Sequence, residues 1–391
     1  MRRSGCAFIV IAALLFLTAC ASAHSRIRIA ATGGLIYQVT APGGIDITPI
    51  ARSGGRGTMI LDGGSALRGI VGETFVADAG PKPVLCLIDT ANSGHGTPYR
   101  LFDRYDGLRM LIFNITAKTS ADPEAIQALE RCTGYYFGGG KVQLLSEGFL
   151  KGQGDSPALA VIRDRYEHHG AVIAGTSAGA MTQGPITLCH SETTPDSNAQ
   201  ASDLPCLNPG FRFVDNVLID VHFFVRGLIG RNLNAMAKID EPVSVGIDQN
   251  AAVVVPGDGG LWQVAGEGGV ALIQREPTAT AGASRKFTIS VLNTGDRFDP
   301  YTGRMAIATT RLPQAVTSES GAGPLRMSDI FGRDRLLQLI ERFAHSPNAT
   351  AEGLGEAEGL VVGLRKPPNA AVFTDAHSAS VLNLEISISR F

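Results

Sequence analysis

Residues 171–181 read AVIAGTSAGAM. The apolar run 171–174 reads as the end of a buried strand, Gly175-Thr176-Ser177-Ala178-Gly179 as a sharp turn, and 178–181 as the start of a helix. A G-x-S-x-G segment at a strand-to-helix junction is the nucleophile elbow: the turn lifts the serine hydroxyl clear of the sheet and aims the next backbone N–H at the same point. Glycine is needed on either side because a Cβ there would meet the neighbouring strand or helix. Ser177 is therefore the candidate nucleophile, set against a merely structural tight turn.

Working outward, short apolar runs alternate with helical patterns. Strands are expected over 58–61, 83–88, 110–115 and 135–137, the last running into Gly138-Gly139-Gly140. Helices are expected over 122–132, with Ala125, Ile126 and Leu129 on one face, from 142 onward, and over 158–168. This alternation predicts an α/β fold, a mostly parallel sheet with helices on both faces. Ligands in such sheets bind beyond the carboxyl ends of the strands, where both glycine-rich turns fall. After residue 251 the pattern changes to β-hairpins (252–255, 261–265, 269–273, 287–292), then an amphipathic helix over 329–343 and a period-two strand over 381–388. Segments 53–57 and 349–359 look flexible.

The amino terminus is a targeting segment. Arg2 and Arg3 precede an apolar run, residues 6–17, that is too short to span a bilayer, so residues 1–19 read as a signal peptide. Leu17-Thr18-Ala19-Cys20 resembles a bacterial lipobox, with Cys20 left as a lipidated terminus, against ordinary secretion with cleavage after Ala21 or Ala23. Ala21 favours the periplasmic side of the outer membrane. With 34 basic and 36 acidic residues the formal charge is −2, and losing residues 1–19 makes it −4. No basic run points to nucleic acid. Cys189 and Cys206 flank a polar stretch and read as a disulfide closing a surface loop, whereas Cys86 and Cys132 read as buried free thiols. No Cys or His spacing suggests zinc.

A serine needs a base and oxyanion donors. Of eight histidines, His222 stands out, because residues 217–224 (VLIDVHFF) are a strand-like run with Asp220 and His222 inside it. Such groups are costly to bury unless paired or functional. His222 is either the base or a satisfied core histidine.

The segments GTSAGA (175–180), Asp220-x-His222-Phe223, and the following Arg226 and Arg231 resemble the cyanophycinase family, serine peptidases of the S51 type with a class I glutamine amidotransferase-like, flavodoxin-like fold. Residues 57–64, YFGGGKVQLL (136–145), Gly246-Ile247-Asp248 with 251–254, and VLNTGDRF (291–298) extend the likeness from about 57 to about 301. The resemblance implies Ser177 as nucleophile, His222 as base and the amides of Gly140 and Ala178 as the oxyanion hole. It implies Gln143, Asp220, Arg226 and Arg231 as pocket lining, and an Asp/Arg-containing peptide substrate cut at aspartyl (iso)peptide bonds. Three positions depart from the family pattern: Val221 replaces a glutamine, Leu228 an arginine, and Gln249 the glutamate that orients the imidazole. Exchanging the acid of a serine triad for its amide can cost about four orders of magnitude in kcat. Gln249 is thus read as a neutral orienting partner in the catalytic set, with Asp248 or Asp220 as substitutes, or with catalysis lost and a binding lipoprotein left.

The expected organisation is a signal peptide (1–19), an anchor and linker (20–56), a catalytic domain (57–305) and a C-terminal extension packed on it (306–391). No metal or organic cofactor is expected, and a homodimer is compatible with the sequence. An aspartyl dipeptidase, or an esterase using His345 or His377, are the rival enzymes.

Overall fold

The computed structural model describes residues 25–27, 35–40, 54–105, 108–189, 206–239, 241–276, 286–319 and 323–390. Residues 1–19, expected to be a signal peptide, Cys20, His190 and most of the expected linker (20–56) lie outside them. No helix among the described residues is long and apolar enough to cross a membrane.

The chain begins with the strands β1 (Ser25–Ile27), β2 (Leu35–Thr40) and β3 (Met59–Asp62), then α1 (Ile70–Asp78), β4 (Val84–Ile88) and β5 (Arg109–Phe113). Next come α2 (Pro123–Glu130), β6 (Gly134–Phe137), α3 (Val142–Phe149), a small hairpin of β7 (Leu150–Lys151) and β8 (Gly154–Asp155), α4 (Pro157–His169), β9 (Val172–Thr176) and α5 (Ala178–Met181). The five strands β5-β4-β6-β9-β3 pair in parallel in that order, with β2 antiparallel on one edge. The alternation of strand side chains divides the core. Met59, Leu61, Cys86, Ile88, Tyr135, Phe137 and Ile173 face one side, and Ile60, Leu85, Leu87, Tyr136, Val172 and Ala174 the other. Both faces are buried, so these strands read as continuous apolar runs. Helix boundaries follow local chemistry. Asp122 caps α2 through the amides of Glu124 and Ala125, with Pro123 at the first helical position. Ser156 caps α4, which ends on Gly170 in the left-handed region.

The second sheet starts after a short pair, β10 (Ile186–Leu188) with β11 (Leu207–Pro209). It comprises β12 (Val217–Val221), followed by α6 (Ile229–Lys238), then β13 (Val243–Ile247), parallel to β12. β14 (Ala251–Val255) returns to the first sheet beside β3, followed there by β15 (Trp262–Gly266), while β16 (Val270–Arg275) and β17 (Phe287–Leu292) extend the second. The expected hairpins thus serve two different sheets.

The strands β18 (Arg297–Phe298) and β19 (Met305–Ala306) pair across the 305/306 boundary expected from sequence. Beyond them lie β20 (Leu312–Gln314), β21 (Leu325–Ser328), α7 (Arg335–Ala344), β22 (Thr350–Gly355), β23 (Leu360–Arg365), β24 (Ala371–Thr374) and β25 (Ala379–Arg390). β25 pairs with β17, so the strands β20–β25 continue the second sheet. A buried knot ties the two parts: Arg311 donates to Asp296 at 2.8 Å, and the Ser380 hydroxyl donates to the same carboxylate at 2.5 Å. Segment 349–359, expected to be flexible, is largely β22, with Gly353 against Ile330 and Gly355 against Phe331. In the amphipathic helix Leu336, Leu339, Ile340 and Phe343 are buried, while Leu337 is only partly so.

One cysteine expectation is corrected. Cys86 and Cys132 form a disulfide, because β4 and the end of α2 bring their Cα atoms to 5.8 Å. An apolar surrounding, read alone, does not separate a buried thiol from a buried bridge. Cys189 and Cys206 are also bonded. Replacing both Cys86 and Cys132 by Ala is expected to cost about 2–4 kcal/mol in denaturant unfolding. An unchanged midpoint would show that the bridge constrains nothing.

Candidate active site

Ser177 follows β9 directly and holds φ 51° and ψ −118°, a strained conformation for a residue with a Cβ. It is tolerated because its surroundings determine it. A Cβ on Gly175 would collide with the Gly179 carbonyl, and one on Gly179 with the Phe137 carbonyl. The elbow therefore needs both glycines, and Ser177 stands half-buried at the carboxyl edge of the parallel strands.

His222 is placed by the second sheet. It does not lie inside a strand, as residues 217–224 suggested, but just past the end of β12, also at positive φ (52°). Its Nε2 is 3.0 Å from Ser177 Oγ. Two strand-end residues from different sheets thus meet as a hydroxyl–imidazole pair.

The turn after β3 joins them. The Asp62 carbonyl accepts from the Ser177 amide at 2.9 Å, and its carboxylate accepts from the Thr176 hydroxyl at 2.8 Å. The same carboxylate accepts from the amides of Gly64 (2.7 Å) and Ala66 (3.1 Å). The Gly63 carbonyl accepts from the His222 amide at 3.2 Å. Gly64 has φ 134°, and a Cβ on it would collide with the imidazole, 2.8 Å from Nδ1. Sequence reading noted a glycine turn at 57–64 but missed Asp62. An aspartate at a buried strand end, just before two glycines, was the available signal.

On the other side of Ser177 lies the 138–140 turn. A Cβ on Gly139 would sit 3.1 Å from Ser177 Cβ and 3.7 Å from its Oγ. Asn92 Nδ2 donates to the Gly139 carbonyl at 2.8 Å and to the buried Asp89 at 3.2 Å, which fixes the turn. Gly140 takes φ 138° with its Cα against the Ala91 carbonyl. Among the described residues the amides of Gly140 and Ala178 donate no hydrogen bond within the chain. Gln143 is half-buried in the first turn of α3, immediately beyond.

Other expected residues are placed differently. Asp220 is fully buried and binds Arg231, Nη2 to Oδ1 at 2.5 Å, with Arg231 itself 7% exposed. Asn232 of α6 donates to Asp220 as well. These buried charges satisfy each other, and a buried pair tolerates loss of one partner poorly. Arg226 is exposed, its amide bonded to the His222 carbonyl. Gln249 is exposed in the turn between β13 and β14 and, among the described residues, makes no hydrogen bond to His222. The expectation that it orients the imidazole is corrected accordingly. Asp248 is no substitute either: its Oδ1 accepts from the amides of Phe224 and Val225, both at 3.0 Å, which shapes the turn after His222. No group of three or more His, Cys, Asp or Glu among the described residues could hold a metal ion.

Fold and site together define an α/β protein carrying a serine–histidine pair at the carboxyl edge of its strands. The chain is 29% identical over 256 residues to the cyanophycinase of Trichormus variabilis, covering 61% of this chain and 83% of that protein. It is 28% identical over 243 residues to the cyanophycinase of Synechococcus elongatus, covering 59% and 73%. These relatives support a cyanophycinase-like peptidase family assignment for the chain. No family model matches. A structure of a peptidase from an acI-B1 Actinobacterium aligns with a TM-score of 0.48 at 20% identity, covering 63% of this chain and 98% of that one.

Gly64→Ala is expected to leave the fold intact, by circular dichroism, while lowering kcat about 100-fold through displacement of His222. Activity equal to the parent would refute that placement. Burial holds the Asp62 carboxyl above its ordinary 3.8 despite its hydrogen bonds. The folded state then binds this proton more tightly than the unfolded state, so its stabilising contribution is full below pH 3.8 and is lost as pH rises through the raised pKa. Asp62→Asn should remove that slope from urea midpoints measured upward from pH 3.8. An unchanged slope would assign it to another group.

Proposed function

We propose that the chain is a serine-type hydrolase of aspartyl peptide or isopeptide bonds, anchored outside the cytoplasm through Cys20. The observation that carries this reading is the 3.0 Å contact between Ser177 Oγ and His222 Nε2.

In this mechanism His222 Nε2 takes the hydroxyl proton as Oγ attacks the substrate carbonyl, and the amides of Gly140 and Ala178 receive the developing oxyanion. The imidazolium then protonates the leaving amine, and water releases the acyl group by the reverse sequence. Helix α5 begins at Ala178, so its amide needs no partner within the helix and is available for this role. The cyanophycinase relatives support an aspartyl substrate, and the two disulfides fit an oxidising compartment. The lipobox-like sequence at 17–20 supports the lipid anchor.

The test is hydrolysis of cyanophycin and of β-aspartyl and α-aspartyl peptides, with products read by mass spectrometry. Ser177→Ala and His222→Ala should each lower kcat by at least about 1,000-fold. Gln249→Ala should change kcat less than about threefold, as its exposed turn makes no bond to the imidazole among the described residues. Turnover that survives Ser177→Ala would overturn the reading. Binding without turnover by every form would make the chain a capture protein.

A further inference from the structure

We propose that the cavity beside the 138–140 turn is a carboxylate-binding subsite that selects acidic peptides and seats one substrate carboxylate next to Ser177. The inference rests on the hydrolase reading and specifies which substrates that site accepts.

The cavity has a volume of about 580 Å³ and opens along Gly138 and Gly139. Gly139, which lines the cavity, also packs on Ser177, so one residue separates the cavity from the reacting hydroxyl. Its lining carries three arginines, Arg68, Arg100 and Arg104, against one acid, Asp89. That acid is 1% exposed and already accepts from the Gly96 amide at 2.6 Å and from Asn92 at 3.2 Å. Burial also raises its pKa, which favours the uncharged form. The cavity is therefore positive in a chain whose net charge is −2.

The three guanidinium groups differ. Arg104 is anchored, with Nη2 donating to the Gly69 carbonyl at 3.2 Å and to the Tyr105 hydroxyl at 2.5 Å, and it lies 4.8 Å over the Tyr105 ring. Arg68 and Arg100 are exposed, and among the described residues neither guanidinium makes a hydrogen bond or ion pair. Their forks are free for bidentate contact with a carboxylate. Arg68 also lines a second cavity of about 490 Å³ with Ser65, Asn250 and Glu267, on the Gly64 side of the pair. Arg68 thus lines both cavities. None of these three arginines follows from the family-like motifs, which direct attention to Arg226 and Arg231 instead.

The ligand carboxylate can be the C-terminal group of the peptide or an acidic side chain. Three peptides separate these: an aspartyl peptide with a free C-terminus, its C-terminal amide, and its analogue with Asn for the neighbouring Asp. With the purified full-length chain, the peptide lacking the recognised carboxylate should show KM raised about tenfold, with kcat changed little. Arg68→Ala and Arg100→Ala should each raise KM for the acidic peptide about tenfold and abolish the discrimination. Calorimetric titration of Ser177→Ala with the same peptides should show the same tenfold losses in affinity, reduced by added salt. Equal KM for all three peptides, or arginine variants that bind like the parent, would overturn the subsite. Turnover unaffected by Ser177→Ala would overturn the hydrolase reading, and the titration would still decide the subsite.

Discussion

The site depends on the turn Asp62-Gly63-Gly64 at the end of one buried strand. Its backbone and carboxylate hold the elbow from beneath, through the Ser177 amide and the Thr176 hydroxyl. Its next two residues hold the other half: the Gly63 carbonyl fixes the His222 amide, and bare Gly64 makes room for the imidazole. The Gly64 carbonyl also accepts from the Asn250 amide at 2.7 Å, which ties in the β13–β14 turn. The ends of β9 and β12 and the β13–β14 turn are thus all bonded to these three residues, while the 138–140 turn is held separately, through Ile88, Ala91 and Asn92. A shift of about 1 Å in one turn would part the Ser177 hydroxyl from the His222 imidazole.

This arrangement explains why two sheets are needed. Ser177 leaves a five-strand parallel block, and His222 leaves a strand of a second sheet that is otherwise mostly antiparallel. The second sheet must be rigid if a histidine at its edge is to meet a serine in the first. The C-terminal residues supply that rigidity by adding β25 to β17 and by closing the Asp296–Arg311–Ser380 knot. The buried Asp220–Arg231 pair serves the same end directly beneath His222, locking α6 onto β12.

Much of this was legible in the sequence where the physics is local. The elbow needs small residues at fixed offsets, and a buried parallel strand needs an unbroken apolar run, so Ser177 and the alternating strands can be read directly. His222 could be singled out because an apolar run rarely carries a histidine without cause. What could not be read depends on pairs distant in sequence. The Cys86–Cys132 bridge spans 46 residues, the Asp220–Arg231 pairing depends on how α6 crosses β12, and Gln249 is turned outward by a tight turn. The arginines of the large cavity belong to loops after β3 and β4, where no periodicity marks a functional side chain.

The most direct measurement of the central claim is the rate at which a fluorophosphonate modifies the protein as a function of pH, with the modified residue mapped by peptide mass spectrometry. The account predicts adduct on Ser177, formed at a rate that rises with one deprotonation, and loss of that pH dependence in His222→Ala. Labelling elsewhere, or labelling of Ser177 at a rate indifferent to both pH and His222, would contradict the pairing of nucleophile and base on which the account rests.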